Sequence, residues 1–278
     1  MAKNNAASFA EKYGPWALVT GASRGLGAEF ARQLAAMGFN LALAARSEDR
    51  LKELAHTLER EYNVSVKVIV IDLAREDMLD TIKKATDSLE IGLLVNNAGI
   101  STVGPFLSLS ADFLLYQFHT NARAVLILTR YFGEKMAVKG RGGVIFVSSG
   151  SALHGTAFCA NYSGTKAYDL MLAEALWAEW KPLGVDVLGF IVGLTRTPGM
   201  EENKPKLNKF VPVGQPDKVV RCALKTLGKK PSAADGVSNR LGYKFFNLTS
   251  RTFSTSTLGK SMDAMFGPFN KNGEKIKQ

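Results

Sequence analysis

Apolar, β-branched-rich segments alternate with segments of helical length along the chain to about residue 192. The strand candidates are Trp16–Thr20, Asn40–Ala44, Ser65–Ile71, Ile91–Val95, Gly143–Ser149 and Val185–Val192. Most are apolar at successive rather than alternate positions, as strands buried on both faces are. Between them the spacing predicts helices at about 25–37, 48–62, 76–88, 112–139 and 160–181, the first closed by Gly38 and the last stopped before Pro182. The alternation predicts an α/β fold, a doubly wound parallel sheet with helices on both faces. No internal repeat or low-complexity linker interrupts it, so residues 1–278 are read as a single domain.

Beyond residue 193 the texture changes to a Pro- and Lys-rich loop, a predicted helix from Pro216 to Leu227 and a tail without a clear strand pattern. Residues 194–213 are the candidate substrate loop and 236–278 a variable C-terminal extension. Spaced apolar residues in the extension, among them Phe245, Phe246, Leu248, Phe253, Leu258 and Phe269, imply that it packs onto something. Core or subunit packing, a substrate lid and a membrane-facing patch are the alternatives.

A content of 46% hydrophobic and 22% charged residues is that of a folded chain rather than a disordered or fibrous one. Two stretches, 91–111 and 142–165, lack charge over a length that could cross a bilayer. The first holds Asn96, Asn97, Gly99 and Pro105 and the second four serines, Asn161 and five glycines, so no spanning segment is expected. No apolar run resembling a secretory signal lies between Lys3 and Lys12, and the expected compartment is the cytoplasm. Cys159 and Cys222 fit neither a disulfide framework nor a zinc site and read as reduced core thiols. His56, His119 and His154 are scattered, so no metal is expected. The net charge of +10 is unevenly placed: residues 200–278 carry 15 Lys and Arg against 6 Asp and Glu, a net of +9. Such a tail attracts nucleic acid, an anionic membrane or an acidic ligand, or simply keeps a surface solvated. No interleaved basic and aromatic pattern supports nucleic acid as a partner.

The first strand candidate runs into Thr20-Gly21-Ala22-Ser23-Arg24-Gly25-Leu26-Gly27 and then a helix. Glycines there let the backbone turn tightly and approach a pyrophosphate resting on the helix N-terminus. Roughly 20 positions on, where the second strand should present a residue to the adenosine ribose, the chain reads Ala45-Arg46. An acidic side chain there would suit the free hydroxyls of NAD, whereas a guanidinium pairs with the extra phosphate of NADP, so NADP(H) is expected and NAD(H) stays possible. Asn96-Asn97-Ala98-Gly99 follows the fourth strand, at the sheet edge where ligands of open α/β folds bind.

Ser149 ends the fifth strand, and Tyr162 and Lys166 follow on a predicted helix, where positions i and i+4 share a face. At pH 7 only about one tyrosine in a thousand is ionised. A neighbouring ammonium and an oxidised nicotinamide lower its pKa, and lowering it by ~2 takes roughly 3 kcal/mol, which a close positive pair can supply. Tyr162 then becomes a usable acid or base.

In this order, the glycine turn, the Asn-Asn-Ala-Gly run and the Ser149, Tyr162-x-x-x-Lys166 set resemble the short-chain dehydrogenase/reductase family over about residues 14–230. The resemblance implies a Rossmann-type dinucleotide-binding and catalytic domain that associates as a homodimer or homotetramer through its long helices, where Trp177 and Trp180 could sit. It assigns Tyr162 as proton donor or acceptor, Ser149 to the substrate oxygen, Lys166 to the nicotinamide ribose and Asn121 to a proton-relay water. Further cofactor positions implied by it are Gly21, Ser23, Arg24, Gly25, Leu26, Gly27, Arg46, Asp72, Leu73, Asn97, Ala98, Gly99, Gly193, Thr195 and Thr197. Where the family usually has Pro-Gly after the sixth strand, this chain has Val192-Gly193.

Tyr13-Gly14-Pro15-Trp16 and Leu89-Glu90-Ile91-Gly92 are similar to the branch containing 17β-hydroxysteroid dehydrogenases and long-chain 3-ketoacyl-CoA reductases. That branch often carries an N-terminal membrane anchor, which is not seen in this sequence, so a soluble bacterial-type relative is expected. The implied activity is NADP(H)-dependent interconversion of a secondary alcohol and a ketone on a bulky apolar substrate, a hydroxysteroid first and a 3-oxoacyl thioester of CoA or a carrier protein second. The substrate mouth is expected near residues 152–158, with His154 as a candidate lining residue. A non-catalytic NADP-binding sensor is the alternative from another class.

Overall fold

The computed structural model describes residues 3–202, 205–207, 211–267 and 269, with side chains from residue 7 onward. Seven parallel strands form one sheet in the order β3-β2-β1-β4-β5-β6-β7. They are β1 (Trp16–Thr20), β2 (Asn40–Ala45), β3 (Val66–Val70), β4 (Ile91–Asn96), β5 (Gly142–Ser149), β6 (Val185–Val192) and β7 (Ser232–Ala234). This is the Rossmann-type arrangement. β1 lies between β2 and β4, in parallel register with both. The winding therefore reverses at β1, and a crevice opens beyond the carboxyl ends of β1 and β4, where such folds bind ligands.

Along the chain the helices are α1 (Lys3–Tyr13), α2 (Gly25–Ala35), α3 (Glu48–Tyr62), α4 (Met78–Thr86), α5 (Ala111–Phe118) and α6 (Ala124–Lys139). They continue with α7 (Ala160–Trp180), α8 (Pro198–Glu202), α9 (Pro216–Thr226), α10 (Val237–Leu248) and α11 (Arg251–Phe266). One face of the sheet buries α1, α2, α3 and α9 around Phe30, Phe39 and Phe190. The opposite face buries α4, α6 and α7 around Phe132 and Phe146. Each such side chain contributes about 1.5–3 kcal/mol by leaving water, which is why the strands are apolar at successive positions. Tyr13 closes the amino-terminal end of the sheet, its hydroxyl donating to Asp186 at 2.5 Å.

Trp177 and Trp180 pack into the second core, and a side chain on Gly133 of α6 would strike the Trp180 indole. Both tryptophans are partly buried, one side of each packed within the chain. The helix expected over 112–139 is interrupted by a π turn at His119–Arg123 between α5 and α6. Outside α8 and the extension, two elements were not legible in the hydrophobic pattern. β7, Ser-Ala-Ala, has no β-branched residue, and its place is set by pairing with Gly189–Ile191 of β6. α1 is mainly polar and is recognisable through Phe9 and Tyr13 alone.

Candidate active site

At the end of β1 the chain turns through Gly21 (φ +66°) and Gly25 (φ +59°), both in the left-handed region that favours glycine. A Cβ on Gly27 would run into the Gly21 carbonyl oxygen and the Asn97 amide, so only glycine lets α2 close onto the turn. Asn97 fastens the turn to β4: its Nδ2 donates to the Thr20 carbonyl at 2.8 Å, while the Thr20 hydroxyl accepts the N–H groups of Asn97 and Ala98, each at 3.0 Å. Arg24 is the N-cap of α2 and its side chain caps nothing. The first N–H groups and the positive end of α2 thus have no side-chain acceptor at the cap, with half-buried Ser23 and Leu26 beside them, and this cradle fits the pyrophosphate of a dinucleotide.

The adenosine end holds a hydrogen-bonded chain. Arg46, directly after β2, donates from Nη1 to the Tyr116 hydroxyl at 2.7 Å, and Tyr116 donates to Asp72 Oδ2 at 2.8 Å. Leu73 is buried beside Asp72. Tyr116 escaped the sequence reading because nothing in its spacing links it to residues on two different strand ends. Burial first, and then its hydrogen bond to Asp72, raises the Tyr116 pKa, so the phenol keeps its proton for that bond. Arg24, one of the cofactor positions implied by the resemblance, is not a free cation. Its guanidinium forks onto the Glu202 carboxylate of α8, with Nη2 to Oε2 at 3.0 Å, and holds that carboxyl below its usual range.

The loop after β6 reaches the same crevice. The Gly193 N–H donates to Asp235 Oδ1 at 2.7 Å, and the Thr195 hydroxyl donates to the Gly193 carbonyl at 3.1 Å. Thr197 stands against the glycine turn, its Cβ 3.5 Å from where a side chain on Gly25 would begin. Buried Asp235 from the end of β7 therefore fixes the loop that lacks the usual proline.

Asn121 sits in the π turn and is fully buried. Its side chain grips Ile100 from both sides, Oδ1 accepting the N–H at 2.7 Å and Nδ2 donating to the carbonyl at 2.9 Å. The widened turn is a device often found at functional sites, here presenting Asn121 to the strand edge. Gly99 lies between them, since a Cβ there would come 3.5 Å from Lys166 Nζ and 3.7 Å from Asn121 Oδ1. Ser149 Oγ accepts from the N–H and hydroxyl of Ser151 at 3.3 and 3.1 Å, which leaves its own proton for another acceptor.

Lys166 is buried, donating to the Val147 carbonyl at 2.9 Å and to Asp169 Oδ2 at 3.0 Å. Burial alone would lower its pKa, but the charges of Asp169 and Tyr162 outweigh that and hold the ammonium above its ordinary value. Asp169 was missed, although an aspartate three residues from a lysine on the same helix was a visible signal.

The extension covers the carboxyl edge of the site. Tyr243 of α10 lies directly over Gly150, where no side chain fits beneath its hydroxyl. His154 is buried, 6.1 Å from the Phe246 ring, and both of its ring nitrogens are without partners. Phe158 packs against Phe269, ring centres 4.8 Å apart and tilted by 41°. Next to Ser149 and Tyr162 there is thus a largely apolar wall in which His154 is a buried polar group without a partner among the described residues.

Glycine turn, gripped asparagine, serine, tyrosine and lysine all meet at one end of the sheet, and residues 15–208 match the family model of short chain dehydrogenases. The chain is a short-chain dehydrogenase. It is an oxidoreductase acting on CH–OH groups. It is 31% identical over 261 residues to a 7beta-hydroxysteroid dehydrogenase of Clostridium sardiniense, covering 93% of this chain and 99% of that one. Against very-long-chain 3-oxoacyl-CoA reductase-A of Danio rerio it is 33% identical over 221 residues, 78% of this chain and 68% of the relative. A solved 7beta-hydroxysteroid dehydrogenase superposes with a TM-score of 0.85 at 27% identity, over 90% of this chain and 98% of that one. A Sphingobium yanoikuyae short-chain dehydrogenase in complex with NADPH gives a TM-score of 0.74 at 28% identity, over 83% and 92%. No helix among the described residues is long and apolar enough to cross a membrane, and no cluster among them could hold a metal ion.

Proposed function

We propose that this dehydrogenase interconverts a secondary alcohol and a ketone on a bulky apolar substrate, a hydroxysteroid or ketosteroid, using NADP(H). The observation that carries the substrate class is the apolar wall beside the site, with Tyr243 over Gly150, Phe246 against His154 and Phe158 lining one crevice with Tyr162, supported by a 7beta-hydroxysteroid dehydrogenase being similar along nearly its whole length. NADP over NAD is supported by Arg46, held by Tyr116 where an acidic residue would select NAD.

The nicotinamide, when bound, supplies or accepts the hydride. Gly21, Gly25, Leu26, Gly27 and Ser23 would cradle its pyrophosphate, with Asn97, Ala98, Gly99, Gly193, Thr195 and Thr197 along the crevice and Asp72 and Leu73 at the adenine. In the reductive direction Ser149 donates a hydrogen bond to the carbonyl oxygen and Tyr162 delivers a proton to it as negative charge develops. In the oxidative direction the Tyr162 phenolate takes the hydroxyl proton, stabilised by the Lys166 ammonium. Asn121 would hold the water through which that proton reaches solvent. His154 presents an unpaired ring nitrogen to a distal polar group of the substrate. Tyr162→Phe tests these assignments: turnover should fall by about a hundredfold or more while NADPH binding is kept. An active Tyr162→Phe enzyme would remove the mechanism.

A second reading, reduction of 3-oxoacyl thioesters, is supported by the very-long-chain 3-oxoacyl-CoA reductases among the relatives and by the basic C-terminal quarter. Thioester turnover would then weaken with salt more than turnover of a neutral ketone. Association as a homodimer or homotetramer is supported by exposed Leu115, Phe118, Leu126 and Met171 on α5, α6 and α7, and sedimentation would give the state.

A further inference from the structure

Neither the chemistry nor the fold uses the outer face of the extension. On α10, Val237, Leu241, Phe245 and Leu248 are 69%, 63%, 56% and 88% exposed. Their spacing places them on one stripe of the helix, roughly 16 Å long, while Asn239, Tyr243 and Phe246 face inward. Phe253, at the start of α11, extends the exposed apolar patch.

The charges beside this stripe are mainly of one sign. Arg240 and Lys244 lie along its edge, and Arg251 and Lys260 follow on α11, all exposed. Lys244, Arg251 and Lys260 have no ion-pair partner among the described residues. Most nearby acidic groups are already engaged: Asp235 is buried on Gly193 and Asn239, Asp217 pairs with Arg221, and Glu202 pairs with Arg24; Asp263, exposed towards the far end of α11, is the acidic residue that offsets part of this charge. Residues 200–278 hold a net +9, against +1 for the other 199 residues.

We infer that α10 and the start of α11 form a docking face for an anionic lipid surface. Bulky apolar groups on one stripe with lysine and arginine at its border are the composition of a helix that lies in the headgroup plane. The charge favours this occupant over a second copy, because two equally basic faces repel. It also favours lipid over an acidic protein, because the cations border a continuous apolar stripe rather than forming the centre of the face. The inner side of the same helix carries Tyr243 and Phe246 over the active site, so docking places the substrate mouth at the membrane. That last step rests on the proposed apolar substrate; the docking does not.

The test is sedimentation of the full chain with vesicles of phosphatidylcholine, alone and mixed with phosphatidylglycerol. A triple variant, Leu241→Ser with Phe245→Ser and Leu248→Ser, and a charge variant, Lys244→Glu with Arg251→Glu, are run beside the wild type. These positions are exposed, and thermal melting and NADPH binding check that each variant keeps its fold. The wild type should pellet with the anionic vesicles and much less with the neutral ones, and each variant should lose at least about tenfold of this partitioning. Absence of wild-type binding to anionic vesicles overturns the inference, as does binding unchanged in the triple variant. A wild type indifferent to vesicles whose triple variant drops to a smaller sedimentation coefficient would assign the face to a second copy instead. Loss of NADPH binding in the wild type would count against the proposed function and leave the vesicle result readable.

Discussion

Breaking the pair between Lys166 and Asp169 has a consequence that can be worked from its geometry. The side chains are 4% and 2% exposed with 3.0 Å between Nζ and Oδ2, so neither charge can turn to water when the other is removed. Among the described residues, Asp169→Leu leaves a buried ammonium with the Val147 carbonyl as its only other partner, and Lys166→Met leaves a buried carboxylate whose Oδ1 already lacks one. Stranding one charge of a buried pair costs about 3–5 kcal/mol, which for a chain of this size is a fall in Tm of roughly 5–15 °C. Replacing both with apolar groups removes the stranded charge and is often near neutral. The double variant should therefore lie within about 1–2 kcal/mol of the wild type in urea denaturation, far from the sum of the single losses. It should be inactive, because the field on Tyr162 has gone. Additive losses across the cycle would show that the two groups do not depend on each other, and would refute the assignment of Asp169 as the counter-ion of the site lysine.

Other outcomes follow from single contacts. Arg46→Ala should weaken NADPH binding by about 10- to 100-fold, the value of a hydrogen-bonded charge pair, with little change for NADH, and Tyr116→Phe should show a smaller shift in the same direction when measured by fluorescence titration. Gly27→Ala should abolish cofactor binding while the sheet stays folded by circular dichroism, because the added methyl group meets the Gly21 carbonyl. Burial pushes the Cys159 thiol up to about 11, so at pH 8 iodoacetamide should label Cys222 first, with Cys159 reacting as the pH approaches that value or when the protein unfolds; rapid labelling of Cys159 at neutral pH would contradict its burial.

Most of the sheet was legible because parallel strands covered on both faces must be apolar at successive positions, and β1, β2, β4, β5 and β6 met that requirement to within a residue at their ends. The site motifs were legible because their chemistry demands adjacency: a helix directly after the glycine turn, and Tyr162 one turn before Lys166. Contacts that depend on distant elements were not. Tyr116 meets Arg46 and Asp72 only once α5 lies across the ends of β2 and β3, and Asp235 meets Gly193 only once β7 has paired. The π turn was hidden because widening a helix by one residue leaves its apolar spacing almost intact, while the cause, Asn121 holding Ile100, acts at long range. The extension read as formless since α10 is apolar on both faces, one covering the site and the other exposed.

Initial rates of ketosteroid reduction, followed by nicotinamide absorbance with NADPH and NADH side by side, test the central claim most directly. A 3-oxoacyl thioester and a simple aromatic ketone should be run in the same buffer. The account predicts turnover of the ketosteroid, faster with NADPH than with NADH. Preference for NADH would contradict the role given to Arg46, and exclusive turnover of the thioester would contradict the substrate assigned to the aromatic wall.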